Sequence, residues 1–209
     1  MYVMKKLIYS ATIISALLLG ACGDVEEISD ENVNTSDVEA SVEEEAPKEE
    51  VKEEESNVSE SEIGKMTTLY QNKELNIPIE SGTAKANLSK IRYATLEPLT
   101  DYKPMFGDQD VATLITIEAT AENTVDSTVN FYLNQAKLVT DTGQQVDADL
   151  WLSDDVGGEF LGVVKKEGSI QWVLKHDENI KKVTLHISGA SDNNFNRLSE
   201  DLKIEIPFE

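Results

Sequence analysis

Five carboxylates, those of Asp147, Asp149, Asp154, Asp155 and Glu159, crowd a short stretch that also contains Gly157 and Gly158. Ca²⁺ takes six to eight oxygen ligands, and carboxylates at alternate positions of a flexible loop can supply several of them. The spacing departs from an EF-hand loop, because Leu152 stands at the sixth position of Asp147 to Gly158, where that loop requires glycine. A solvated acidic loop is therefore the favoured expectation, with a weak, millimolar Ca²⁺ site as the alternative. Trp151 and Phe160 lie in the same stretch. They either tuck beneath the loop or form an aromatic contact patch of the kind that anchors protein or glycan ligands. On this reading the segment from Val146 to Phe160 is the candidate recognition loop.

Catalytic chemistry has less to work with. The two histidines are His176, in the polar turn Lys175-His176-Asp177-Glu178-Asn179, and His186, on the polar face of an alternating segment. A Ser-His-Asp triad is defined by geometry rather than by order, but no nucleophile-elbow signature accompanies either histidine. No phosphate-cradling glycine loop and no Cys/His metal spacing is present. The expectation is a protein that is not an enzyme and has no cofactor.

The remaining reactive side chain is Cys22, the sole cysteine, which excludes an intrachain disulfide. Lys5 and Lys6 precede an apolar stretch from Leu7 to Leu19, too short to cross the roughly 30 Å hydrocarbon core as a helix. Met4 would itself begin an ordinary signal peptide. The sequence Leu19-Gly20-Ala21-Cys22 resembles the lipobox of a bacterial lipoprotein signal. That resemblance implies a signal peptide over residues 1–21, cleavage before Cys22, and lipid on the Cys22 thiol. It also implies residence on the outer face of the cytoplasmic membrane, held by the lipid anchor.

Residues 22–64 have the composition of a tether. From Asp24 to Gly64 there are 17 acidic residues against Lys48 and Lys52, with no aromatic residue, and this stretch carries most of the chain's formal net charge of -22. High net charge with low hydrophobicity predicts a disordered acidic linker. Its sign excludes a nucleic-acid partner, since it repels phosphate, and disfavours electrostatic docking on anionic lipid.

From Lys65 to Glu209 the composition is that of one folded domain. Period-two alternation is clearest from Val111 to Glu122, where Thr113, Ile115, Ile117, Ala119 and Ala121 share a face and Ala112, Leu114, Thr116, Glu118 and Thr120 form the wetter one. Similar alternation places Val129 and Phe131 on a second strand, then Ile170, Trp172 and Leu174, then Val183, Leu185 and Ile187, and finally Leu202, Ile204 and Ile206. Between Ala86 and Leu96 the alternation breaks, which predicts a bulge. Seven or so strands without a helical period predict an all-β, antiparallel β-sandwich of immunoglobulin-like type with Trp172 in its core.

The segment Leu114 to Ala121 running into Glu122-Asn123-Thr124, the strand through Phe131, the turn Asp141-Thr142-Gly143 and the turn Glu167-Gly168 resemble the Ig-like extracellular modules of unknown function on Gram-positive lipoproteins. Those modules are similar in turn to secreted immunogenic proteins of mycobacteria. The resemblance spans about Ala84 to Phe208 and implies the fold but no reaction. With no catalytic set and with aromatics on a loop, the expectation is a monomeric cell-surface binding module with an envelope or extracellular protein or glycan partner. A passive accessory lipoprotein of the envelope is the alternative.

Overall fold

The computed structural model describes residues 57–209. Cys22, the signal segment and most of the acidic linker lie outside them. The described chain is all-β and antiparallel, with thirteen strands in three sheets and two short 3₁₀ helices. The strands are β1 (Val58–Glu60), β2 (Gly64–Asn72), β3 (Ile77–Ser81), β4 (Ala84–Pro98), β5 (Ala112–Asn123), β6 (Val129–Phe131) and β7 (Lys137–Thr140). They continue as β8 (Gln145–Asp147), β9 (Gly158–Phe160), β10 (Lys165–Lys175), β11 (Lys182–Ile187), β12 (Ser191–Asp192) and β13 (Leu202–Pro207).

The largest sheet runs β1-β2-β4-β5-β10, with β3 also paired to β4. Alternating apolar residues place β5 at its centre: β4 pairs with it from Leu96↔Ala112 to Ala84↔Asn123, and β10 pairs along its other edge from Lys175↔Ala112 to Lys165↔Glu122. The expected break in β4 is a bulge at Ser89, where the register with β5 shifts between Leu88 and Lys90. Ser89 Oγ there donates to the Glu118 carbonyl at 3.2 Å. The second sheet has the order β13-β11-β7-β8 and the third β12-β6-β9.

One core draws side chains from all three sheets: Leu88, Ile91, Ile115, Ile117 and Trp172 from the first, Leu138, Val183, Leu185 and Ile206 from the second, and Phe131 and Phe160 from the third. Trp172 is fully buried, as its alternation predicts, and its indole N–H donates to the Ala136 carbonyl at 2.9 Å. That bond satisfies the polar edge of an otherwise apolar ring.

Two features depart from the sequence expectation. The β-structure begins at Val58, ahead of Lys65, because β1 pairs with β2 from Val58↔Thr67 to Glu60↔Lys65. The outer face of β5 is not uniformly wet either. Ala112 and Leu114 are buried there in a second small cluster with Leu96 and Phe106. The 3₁₀ helix Thr100–Phe106 and the side chain of Leu152 pack over this part of the sheet, while Glu118 on the same face stays exposed. The helix stops at Gly107, whose φ of 69° lets its N–H reach back to the Lys103 carbonyl.

Candidate recognition loop

The segment between β8 and β9 is fastened along the outer edge of β10. Asp149 N–H donates to the Gln171 carbonyl at 2.8 Å, and Asp154 N–H donates to the Ser169 carbonyl at 2.8 Å. Between these two points the Gln171 side-chain amide donates to the Leu152 carbonyl at 2.6 Å, and Ser153 Oγ accepts from Gln171 N–H at 2.9 Å. The loop thereby occupies backbone groups that would otherwise leave β10 as an open edge.

Within that frame Asp149 builds a tight turn. Its Oδ1 accepts from the N–H groups of Trp151 at 2.9 Å and Leu152 at 3.1 Å, and its carbonyl accepts from Ser153 N–H at 3.0 Å. The turn drives Leu152 into the cluster with Phe106 and Leu114 and leaves Trp151 pointing outward, 95% exposed. Leu150 beside it is exposed as well.

Phe160 corrects the expected aromatic pair. It lies on β9 opposite Val129, fully buried in the main core, and cannot share a contact surface with Trp151. The physical reason is the alternation of β9, which turns Phe160 inward and Glu159 outward. Lys166 Nζ sits 5.0 Å from the centroid of the Phe160 ring.

The five carboxylates do not converge. Asp147 is paired with Lys137, and Asp155 with Lys166 at 2.9 Å. Asp149 is spent on its own turn. Asp154 Oδ2 accepts from Ser169 N–H at 2.7 Å and Ser169 Oγ at 2.9 Å, and those bonds, the backbone one first, hold its carboxyl below the usual aspartate range. Glu159 projects from β9. Among the described residues no three His, Cys, Asp or Glu side chains are grouped to hold a metal ion. Four of the five acids are thus taken up by four different sets of neighbours, and Glu159 lies on a separate strand.

Next to this loop lies an open groove of about 880 Å³, lined by Met105, Gln109, Gln144, Val146, Asp149 and Val173 among others. Its floor is the end of β10, closed from both sides by side-chain amides. Gln144 exchanges two hydrogen bonds with the Lys175 backbone, at 3.0 and 3.1 Å. Gln109 donates to the Leu174 carbonyl and accepts from His176 N–H, both at 3.3 Å. No sequence pattern announces this groove, because its walls come from the 3₁₀ helix, the β7–β8 turn and β10. Both histidines are exposed: His186 faces out from β11, and His176 lies 3.7 Å from Glu178.

No family model matches the chain. Over 99 residues it is 34% identical to the SPbeta prophage-derived uncharacterized lipoprotein YonS of Bacillus subtilis strain 168, an alignment covering 46% of this chain and 49% of that one. The chain thus spans about half the length of this curated relative. Among solved structures it resembles a functionally unknown protein from Listeria monocytogenes EGD-e, with a TM-score of 0.55, 10% identity, and coverage of 70% of this chain and 89% of that one. It is also similar to the yjhA protein of Bacillus subtilis at a TM-score of 0.44 and 15% identity, over 66% of this chain and 100% of that one. The first likeness shows a shared fold. The chain is a distant relative of an uncharacterized bacterial lipoprotein, and no helix among its described residues is long and apolar enough to cross a membrane.

Proposed function

We propose that this chain is a lipid-anchored extracytoplasmic lipoprotein that acts by binding rather than by catalysis. It displays an Ig-like β-sandwich to an envelope or extracellular protein or glycan. The observation that carries the reading is Trp151: an indole 95% exposed, on a loop tied to β10 on either side of it. Exposed tryptophans on rigid frames are the residues that most often dominate binding energy, since burying the ring against a partner costs little conformational freedom. The adjoining groove, with Met105 and Val173 in its walls, extends the contact surface. The lipobox at Leu19 to Cys22 and the likeness to a Bacillus lipoprotein support the anchored, extracytoplasmic setting.

The test compares the mature protein with its Trp151→Ala variant in capture from envelope fractions and from purified cell-wall glycan. A ligand retained by the native chain and lost by an equally stable variant is the expected result. Equal retention by both would move the recognition site away from this loop.

A further inference from the structure

The end of the domain remote from the 3₁₀ helix carries a second set of exposed apolar side chains. Leu161 is 70% exposed, Val163 65% and Phe195 72%, with Val164 and Leu198 also exposed. They sit on loops that touch one another in sequence. A Cβ on Gly82 would lie 2.7 Å from Leu198 Cβ, Thr124 N–H donates to the Thr83 carbonyl, and a Cβ on Gly162 would lie 3.4 Å from the Asp126 carbonyl. In the third sheet Asp192, Val129 and Phe160 form one row, so Asn193 and Leu161 leave it at the same end, about 10 Å apart across two strand spacings.

These tips are held in place. Buried Asn123 donates from its amide to the carbonyls of Val125, Ser127 and Gly162, and its own N–H donates to the Val164 carbonyl. Phe195 has a φ of 60°, a left-handed conformation that is uncommon for a bulky side chain. The Asp192 carboxylate fixes it there by accepting from the N–H groups of Asn194 and Asn196 and from the Asn196 amide. Backbone strain is thus retained at a residue whose ring is left in water, which is the arrangement expected of a contact residue.

The course of the chain says what those tips meet. β1 runs antiparallel to β2, so from Val58 back to Asn57 the backbone heads from the Thr67 row toward Thr68. Thr68 pairs with Ala94, and from there β4 leads back to Ala84, so the N-terminal exit points to the end where the apolar tips lie. Ala94 to Ala84 is about 34 Å at strand rise, while the 35 residues from Cys22 to Ser56 can reach about 120 Å. A bilayer holding Cys22 therefore lies within reach of that end.

We propose that this apolar end, tipped by Leu161, Val163 and Phe195, rests in the interfacial layer of the bilayer that holds the chain. The contact is apolar rather than electrostatic, so it does not depend on anionic lipid. It rests on the anchored reading above, and the tether makes it an intramolecular encounter at high effective concentration. Docking this way orients the domain and leaves the Trp151 loop on its flank free for a partner.

The experiment uses the full mature chain, its Cys22 lipidated, in phosphatidylcholine vesicles, with an environment-sensitive fluorophore on Val163→Cys or, as the control, on Asp101→Cys in the first turn of the 3₁₀ helix. Flotation with the vesicles checks the anchor independently of the docking. The expected result is blue-shifted emission at position 163, quenched by lipids brominated on their acyl chains. Position 101 should show neither effect, and the quenching at 163 should be lost when Leu161→Ser and Phe195→Ser are added. Vesicle-bound protein whose position 163 stays in water overturns the proposal while leaving the anchor intact. A label shielded in native envelopes but not in vesicles assigns the surface to a protein partner and also overturns it. Failure to float at all sinks the anchored reading.

Discussion

Gly168 has no side chain because Asp154 occupies the place of one: a Cβ on Gly168 would stand 2.4 Å from Asp154 Cβ and 2.9 Å from its Oδ2. The close approach is what lets the Asp154 carboxylate reach both donors of Ser169. Gly168→Ala should force the loop off the β10 edge and destabilise the domain by about 1–3 kcal/mol, the usual range for an inserted methyl in a packed site. Ser169→Ala, which removes the hydroxyl donor alone, should cost about 1 kcal/mol or less. Urea midpoints for the two variants check the order, and a Gly168→Ala midpoint equal to the native one would show that the loop gives way freely.

The same carboxylate sets part of the acid response. Hydrogen bonds hold the pKa of Asp154 down, chiefly from Ser169, and that of Asp177 down, chiefly from the Thr142 hydroxyl and then Asn179 N–H. A carboxyl whose folded pKa lies below its unfolded one stabilises the fold above the unfolded value, near pH 4, and loses that contribution as the pH falls through the folded value. Stability should therefore decline on acidification below about pH 4, and Asp154→Asn should flatten that decline. Melting temperatures recorded across the acid range test this. Parallel acid limbs for the native and variant chains would remove Asp154 from the account.

Trp172 fills the centre of the main core and donates to the Ala136 carbonyl. Trp172→Ala should cost about 3–5 kcal/mol. Trp172→Phe retains most of the ring but leaves a buried carbonyl without its partner, a loss of about 1–3 kcal/mol. Denaturant midpoints at unchanged slope separate the two effects. An Ala variant as stable as the native protein would contradict the burial of Trp172.

The residues that could be read from the sequence are those whose environment is set by strand alternation. Trp172, Ile115, Ile117, Val183 and Leu185 all lie where period two places them, and the bulge in β4 falls where the alternation breaks. Ala112 and Leu114 escaped because the 3₁₀ helix just ahead of the strand, together with Leu152 from the distant β8–β9 loop, covers the face that alternation alone assigns to water. The acidic stretch misled for a related reason: four of the five carboxylates are drawn apart by Lys137, Lys166, Ser169 and the loop's own N–H groups, and the fifth, Glu159, lies on β9. Phe160 and Trp151, close in sequence, are separated by the entry of one into β9. Pairing partners decide such positions, and a one-dimensional pattern does not contain them.

The N-terminal edge offers a final test of where the fold begins. β1 covers the outer edge of β2 at Lys65, Met66 and Thr67, and just after it Leu99 N–H donates to the Ile63 carbonyl at 2.8 Å. A chain beginning at Asn57 keeps these bonds, and its melting temperature should equal that of a chain beginning at Cys22. A chain beginning at Lys65 loses them, at about 1 kcal/mol for each net hydrogen bond, and should melt several degrees lower. It also bares the edge of a nine-residue strand that includes exposed Leu69, a surface that pairs readily with a second copy. Size-exclusion chromatography over a range of concentrations should then show self-association for the shorter chain alone. Identical melting and a monomeric elution for both would mean that β1 adds nothing to the fold and that the domain begins at β2.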